Sequence, residues 1–330
     1  MRNKLTDELA VCGMNAVLAV CEYNPQIINR LFFREDRLDI FTGICKQLAE
    51  RKRPYKICED EELERICKSV HHQGVVAMIE EPVIEPLSPE DLDFWASEGK
   101  TGVILHSVGN DHNLGAIARA AAFFDVKYFV LNEKDSLFKP LPRPEKTISR
   151  FASIFDEQRN EQNENQNNEQ NKGQDKPDFP DTPNDDFPPE IKTRLTTSAY
   201  RVAEGAFEHL TIRSVRNTFS FLKDASKKLV TIGTDTRARL RIGDLGSIVK
   251  NLNAPGTTAT SGSKTGAVNK ALKPDARPGI ALVLGNEETG LPKNVKDQCS
   301  CLLRIPGTGN IDSLNVSQAA ALFLHAIYDM

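Results

Sequence analysis

The sequence predicts an α/β protein: a mostly parallel sheet covered by helices in the C-terminal part, preceded by a smaller α/β domain. Three observations carry this. First, Val103–Val108 and Tyr128–Leu131 are apolar runs of buried-strand length, and the alanine-rich Leu114–Phe124 between them has a helical pattern. Strand, helix, strand over roughly 30 residues is a βαβ unit, which requires parallel strands. Second, further apolar runs recur at Leu229–Ile232, Ile280–Leu284 and Cys301–Ile305, with an amphipathic helix at Asn217–Lys227. Such strands read as buried on both faces. Third, Arg304-Ile-Pro-Gly-Thr-Gly-Asn-Ile-Asp-Ser-Leu-Asn-Val-Ser-Gln-Ala-Ala-Ala321 joins the last strand to an apolar helix, Leu314–Tyr328. Gly307 and Gly309 permit positive φ or close approach of a ligand, and Ser313, Asn315 and Ser317 are helix-cap types. A strand end, a glycine turn and a capped helix form the place where open α/β sheets bind ligands. The same segment also describes a strand-to-helix turn with no ligand.

The elements follow in order. Met14–Cys21 and Ile40–Leu48 read as amphipathic helices and Glu61–Cys67 as a short one, with strands at Ile27–Phe33, Tyr55–Cys58 and Val75–Ile79. They define a small domain over residues 1–86. Glu80-Glu-Pro-Val-Ile-Glu-Pro-Leu-Ser-Pro-Glu90, with three prolines and several acids, reads as extended, and residues 87–100 are expected to be a linker. The second domain spans 101–330. Two segments interrupt it. Residues 155–190 are rich in Asn, Gln, Glu, Asp and Pro and are expected to be disordered, because they bury too little apolar area to offset their ordering entropy. Residues 251–278 are expected to form a flexible loop.

Composition bounds the rest. The chain has 330 residues, enough for two modest domains. No stretch approaches the ~20 apolar residues of a membrane span, and the first residues lack a signal-peptide pattern, so a cytoplasmic protein with no membrane partner is expected. The seven cysteines lie mostly in apolar patterns with no Cys-x-x-Cys pair, which favours buried thiols over a metal site; no metal is expected. The formal charge is −4, but residues 156–190 hold eleven acids and three bases, so the remainder is about +4. That mild bias is compatible with RNA and is no evidence for it.

Two more segments bear on chemistry. In His112-Asn-Leu-Gly-Ala-Ile-Ala-Arg119, Asn113 stands in the cap region and Arg119 lies nearly two turns into an apolar helix. A guanidinium there needs an anion or a route to water; a carboxylate from elsewhere in the fold would serve as well as a substrate phosphate. In Ala281-Leu-Val-Leu-Gly-Asn-Glu-Glu-Thr-Gly-Leu-Pro292, a buried strand ends at Leu284-Gly285, with Glu287 at its carboxyl end. The segment lacks the Gly-x-Gly-x-x-Gly and the Lys-Ser/Thr of phosphate loops, and Glu287 and Glu288 would repel phosphate.

In order and wording, NLGAIAR, LVLGNEETGLP and RIPGTGNIDSLNVSQAAA resemble motifs 1, 2 and 3 of the SpoU branch of the SPOUT RNA methyltransferases. The resemblance covers about residues 101–330 without the two insertions. Gly13-Met-Asn-Ala-Val-Leu and His71-His-Gln-Gly-Val-Val-Ala77 resemble the L30e-like RNA-binding domain that many members carry. The resemblance implies methyl transfer from S-adenosylmethionine to a ribose 2′-hydroxyl of tRNA or rRNA, a deep C-terminal trefoil knot, and a homodimer. It implies that Asn113, Arg119, Glu287, Ser313 and Asn315 are the functional polar residues. Leu284, Gly285, Ile305, Gly309 and Leu314 are implied to hold the cofactor. Two positions depart from the pattern: Asp111, where proline is frequent, and Asp125, where a glycine usually follows the aromatic pair Phe123-Phe124. For RNA, Arg51, Lys52, Arg53 and Lys56 form one candidate patch, which also reads as a solvated helix end. Arg237, with Arg239 and Arg241, forms a second. The competing reading is an RNA-binding ribosome-assembly factor on the same fold with weak or lost catalysis.

Overall fold

The computed structural model describes residues 2–3, 8–133, 138–140, 191–193, 195–253 and 277–330. The insertion expected at 155–190 lies outside the described residues, as does 254–276 of the loop expected at 251–278.

The N-terminal region is a five-stranded mixed sheet. Its strands are β1 (Arg2–Asn3), β2 (Glu8–Cys12), β3 (Ile28–Phe33), β4 (Tyr55–Ile57) and β5 (Val75–Glu80), in the order β1-β2-β5-β3-β4. Helices α1 (Met14–Tyr23), α2 (Leu38–Glu50) and α3 (Asp60–Cys67) accompany it. β5 is central and its first five residues are buried, which suits its unbroken Val-Val-Ala-Met-Ile run. β2 escaped the sequence reading because it opens on a charge. Glu8 is buried, and its carboxylate pairs with Arg30 on β3.

The C-terminal sheet has seven strands: β6 (Thr101–Leu105), β7 (Val126–Asn132), β10 (Thr211–Val215), β11 (Val230–Thr234), β12 (Leu240–Arg241), β13 (Ile280–Leu284) and β14 (Cys301–Arg304). Their order is β10-β7-β6-β13-β11-β14-β12, and every pairing is parallel. Phe138–Pro140 (β8) and Ile191–Thr193 (β9) form a separate pair. The helices are α4 (Pro89–Ser97), α5 (Asp111–Phe123), α6 (Thr197–Ala203), α7 (Thr218–Ala225), α8 (Leu245–Asn253), α9 (Lys293–Lys296) and α10 (Val316–Tyr328). The chain runs outward from β6 through β7 to β10, then crosses to β11 on the other side, and β13 fills the place between. Doubly wound sheets bind ligands at the carboxyl ends of the strands beside such a reversal.

Several expectations change. Residues 87–100 are not a free linker: they carry α4. Ser88 caps it in a reciprocal capping box with Asp91, and Pro89 takes the first helical position. Of the prolines and acids that suggested an extended segment, Pro89 and Glu90 form the first turn of this helix, while Pro82 and Pro86 precede it. Trp95 anchors the helix. It is fully buried, stacks on Tyr128 with ring centroids 5.0 Å apart, and its indole N–H donates to the carbonyls of Lys100 (3.0 Å) and Ile280 (3.1 Å). Gly102 makes room for it, since a Cβ there would lie 2.1 Å from the indole ring. The strand expected at Val103–Val108 begins and ends earlier. Of the loop expected at 251–278, residues 251–253 complete α8, and Arg277 is held by a hydrogen bond from its guanidinium to the Ile327 carbonyl (2.6 Å). The final helix starts at Val316 with Asn315 as its cap. Asp125 adopts φ 53°, so the expected glycine position is a left-handed turn filled by aspartate, one of the side chains that tolerates it.

All seven cysteines are free, six of them buried, and burial pushes Cys299 and Cys301 up to about 12. Among the described residues, no helix is long and apolar enough to cross a membrane.

Candidate functional site

The site lies at the carboxyl ends of β6, β13 and β14. α5 begins after β6, capped by Asn110, whose side-chain oxygen accepts from the amides of His112 (2.8 Å) and Asn113 (3.4 Å). Asn113 is therefore inside the first turn, three residues beyond the cap position expected for it. Asp111 replaces the frequent proline at the first helical position. It suits the positive helix end, and its carboxylate accepts from the Thr196 hydroxyl (2.7 Å).

After β13 the chain turns sharply. A Cβ on Gly285 would stand 2.5 Å from the Gly290 carbonyl carbon and 2.6 Å from the Leu291 nitrogen, so only glycine fits without backbone movement. The Asn286 side-chain oxygen accepts from the amides of Glu288 and Thr289, both at 3.0 Å, and closes the turn. Its amide donates to the Ser107 carbonyl at 2.9 Å, tying the turn to the exit of β6.

This brace presents Glu287. The Asn113 side-chain amide donates to the Glu287 carboxylate at 2.6 Å, the short distance of a charge-assisted bond. The Asn113 oxygen accepts from the Asn315 amide at 3.0 Å, and the Asn315 oxygen caps α10 through the Ser317 amide (2.8 Å). Asn315–Asn113–Glu287 thus links the three loops. Asn113 is 8% exposed, so the middle of this chain is buried, while Glu287 is half-buried and Asn315 is exposed.

The remaining expected residues separate into groups. Leu284 and Gly285 are buried at the end of β13, and Ile305 follows β14 on the other side of β11. Gly309 (φ 85°), Ser313 and Leu314 lie in the exposed segment 306–315, and Ser313 stands outside the Asn113 cluster. Ile311 is 82% and Leu314 47% exposed, so the loop carries apolar surface beside the polar chain. Arg119 does not join the cluster. It follows Asn113 by six residues, about 240° around the helix, and its guanidinium pairs with Glu204 at 2.9 Å.

The first RNA patch is partly engaged. Arg51 donates to the Pro25 carbonyl (2.8 Å), and Lys56 pairs with Glu62 (2.6 Å). Lys52 and Arg53 are exposed. Arg237, Arg239 and Arg241 are exposed just beyond the carboxyl end of β11, on the same edge of the sheet as the site.

The sequence reading gave no role to His106, Asn286 or Glu204. His106 leaves β6, its amide donates to the Leu284 carbonyl (2.9 Å), and its Nδ1 lies 3.0 Å from the Thr218 hydroxyl. Burial lowers its pKa below the ordinary histidine value.

The site fits S-adenosylmethionine chemically. A carboxylate beside an apolar loop suits a sulfonium cation and an adenine ring, whereas it opposes a phosphate-bearing nucleotide.

Comparisons with known proteins agree with this geometry. The family model described as "SpoU rRNA Methylase family" matches residues 188–325, and "RNA 2'-O ribose methyltransferase substrate binding" matches residues 10–83. An uncharacterized tRNA/rRNA methyltransferase of Haemophilus influenzae is 30% identical over 138 residues, 42% of this chain and 39% of that protein. The matched part thus spans about two fifths of that relative. The 23S rRNA (guanosine-2'-O-)-methyltransferase RlmB of Bordetella pertussis is 25% identical over 320 residues, 96% of this chain and 94% of that one. Among solved structures, the SpoU methyltransferase AviRb of Streptomyces viridochromogenes, in complex with AdoMet, has a TM-score of 0.58 at 16% identity, covering 100% of this chain and 93% of that chain. An AdoMet-bound rRNA methyltransferase of Sinorhizobium meliloti has 0.57 at 16%, covering 98% and 87%. The family match begins at residue 188, beyond Asn113 and Arg119, which only the geometry brings to Glu287 and Glu204. Residues 188–325 thus match the SpoU rRNA methylase family model and residues 10–83 the RNA 2'-O ribose methyltransferase substrate-binding model, on a fold shared with a solved SpoU methyltransferase.

Proposed function

We propose that this protein transfers the methyl group of S-adenosylmethionine to a ribose 2′-hydroxyl of rRNA or tRNA. The observation that carries the reading is the Asn315–Asn113–Glu287 chain, centred on buried Asn113, which ties three loops into one site at the carboxyl ends of a parallel sheet. Relatives named as 23S rRNA (guanosine-2'-O-)-methyltransferases and neighbours crystallised with AdoMet support it.

Leu284, Gly285, Ile305, Gly309 and Leu314 hold the cofactor, which supplies an electrophilic methyl group. Methyl transfer to an alcohol is an in-line displacement, so alignment contributes much of the rate. Asn113 and Asn315, fixed by each other and by Glu287, orient the ribose, and Ser313 approaches it from the exposed loop. Arg119 binds the adjacent phosphate and stabilises the developing alkoxide. Its own pKa is too high for it to act as a base, so the proton passes to phosphate or water. Lys52, Arg53 and the Arg237 cluster meet the RNA backbone. The N-terminal domain is L30e-like, the backbone from about Leu282 to α10 is threaded as a deep trefoil knot, and the working unit is a homodimer.

A second reading, an RNA-binding assembly factor with weak catalysis, is favoured by one observation: Arg119 pairs with Glu204 and not with the Asn113 cluster. Three measurements separate the two. Calorimetric titration shows S-adenosylmethionine binding, a 2′-O-methylation map of cellular rRNA and tRNA changes when the protein is removed, and Arg119→Ala nearly abolishes transfer with cofactor affinity retained. An unchanged map, or an Arg119→Ala activity within a few-fold of wild type, overturns the enzyme mechanism.

A further inference from the structure

The pairing that separates Arg119 from the Asn113 cluster also ties it to the N-terminal domain. One oxygen of the Glu204 carboxylate meets the Arg119 guanidinium at 2.9 Å, and the other accepts from the Asn15 side-chain amide at 3.2 Å. Asn15 lies in the first turn of α1, within the matched substrate-binding domain. Glu204 ends α6 in a left-handed conformation, φ 48° and ψ 45°. An unbranched acidic side chain is uncommon there, and the conformation costs on the order of 1 kcal/mol.

The frame around this carboxylate is firm. α6 packs along α5, and the turn after it packs on α1. Tyr23 and His209 meet edge to face with ring centroids 4.6 Å apart, Asn24 donates to Glu208, and Arg201 donates to Ser69 at 3.4 Å. Burial holds Glu208 above the usual carboxylate range, as expected of a group inside a packed seam. Glu204 is thus held from below by helix packing and from the side by Asn15, while its second oxygen faces Arg119.

We propose that Glu204 is a positioning residue for methyl transfer. It engages one edge of the Arg119 guanidinium, leaves the other donors of the fork for a substrate phosphate, and carries the placement of the N-terminal domain to Arg119 through Asn15. The ion pair is partly exposed, with side chains 58% and 37% accessible, so its contribution to folding is small and its effect is on orientation. A planar guanidinium with five donors serves two acceptors at once without losing either geometry. The inference rests on the reading that Arg119 acts on the RNA.

The test is a double-mutant cycle on the full chain. It uses labelled S-adenosylmethionine and total RNA from cells lacking the protein. Glu204→Ala lowers the single-turnover rate by about tenfold or more, with cofactor affinity and melting temperature near wild type. Glu204→Gln, which keeps its one acceptor oxygen for Arg119 and offers its NH2 to the Asn15 side-chain oxygen once that amide is turned over, restores the rate to within about threefold. Asn15→Ala gives a smaller loss of the same kind. The double variant Arg119→Ala/Glu204→Ala is no slower than Arg119→Ala, because the two residues act as one unit. If Arg119→Ala is inactive while Glu204→Ala stays within about twofold of wild type, or if the two losses multiply, Glu204 has no positioning role. If Arg119→Ala itself is active, the fault lies instead in the catalytic reading of Arg119.

Discussion

Asn113 receives one amide and donates another, so its removal strands two partners at once. Asn113→Ala removes the partly buried bonds to the Glu287 carboxylate and from the Asn315 amide, which costs about 1 kcal/mol of stability because water reaches both partners. Asn113→Asp is worse, because it sets a second carboxylate against Glu287. Thermal denaturation and methyl-transfer assays on both variants check this, with the larger loss expected for Asp. His106 supplies a pH prediction. Its folded-state pKa is lowered by burial, so the unfolded chain binds the proton more tightly. The associated stability is present above the ordinary histidine pKa of about 6.5 and is lost as pH falls through the folded value. Denaturant melts at pH 7.5 and pH 5 show the difference, and His106→Gln flattens that part of the profile. Asn113 and Glu287 were legible in the sequence because they sit in recognisable motifs. Glu204 was not, since the groups that give it meaning, Arg119 and Asn15, are far away along the chain.

At the level of elements, α4 shows how the same residues support opposite readings. Ser88-Pro89-Glu90-Asp91 resembles a proline-rich linker in composition and a helix start in position; the capping box and the burial of Leu92 and Trp95 decide for the helix. Trp95→Ala removes a fully buried indole that packs against Tyr128 and bonds two carbonyls. A loss of about 3–5 kcal/mol is expected, readable as a lower urea midpoint. β10 was missed for a related reason. Thr211-Ile-Arg-Ser-Val is an edge strand with mixed burial, and its Arg213 is satisfied by Asp91 of α4 at 2.8 Å. The pairing lowers the Asp91 carboxyl despite its partial burial. Central strands such as β13, buried throughout, were legible because their whole run is apolar.

For the whole molecule, α5 and α10 leave one apolar face open among the described residues. Phe123 is 80% exposed, Leu322 46% and Tyr328 55%, while Phe124 packs against His325 and Tyr328. A homodimer covering this face predicts that Phe123→Asp converts the protein to monomers in sedimentation or light scattering. Melting temperature should fall in a concentration-dependent way only for the wild type. Unchanged association would remove this face from the dimer. The groove of Ala116, Arg119, Ala120, Phe123, Phe124 and Val202 opens on the same side, which places Arg119 beside that surface.

Local pattern was enough for the α/β class, the mostly parallel sheet and the three loops, whereas the roles of their polar residues came from the resemblance of the motifs. Buried-strand runs, glycine turns and cap residues are properties of short windows, so they survive in one dimension. The partner of each side chain is not such a property. Asn113 meeting Glu287 and Asn315, Arg119 meeting Glu204, and Trp95 closing over Gly102 each join positions that the order of strands brings together. Strand order depends on how the chain crosses the sheet between β10 and β11 and returns to insert β13, a choice made by packing across the whole domain.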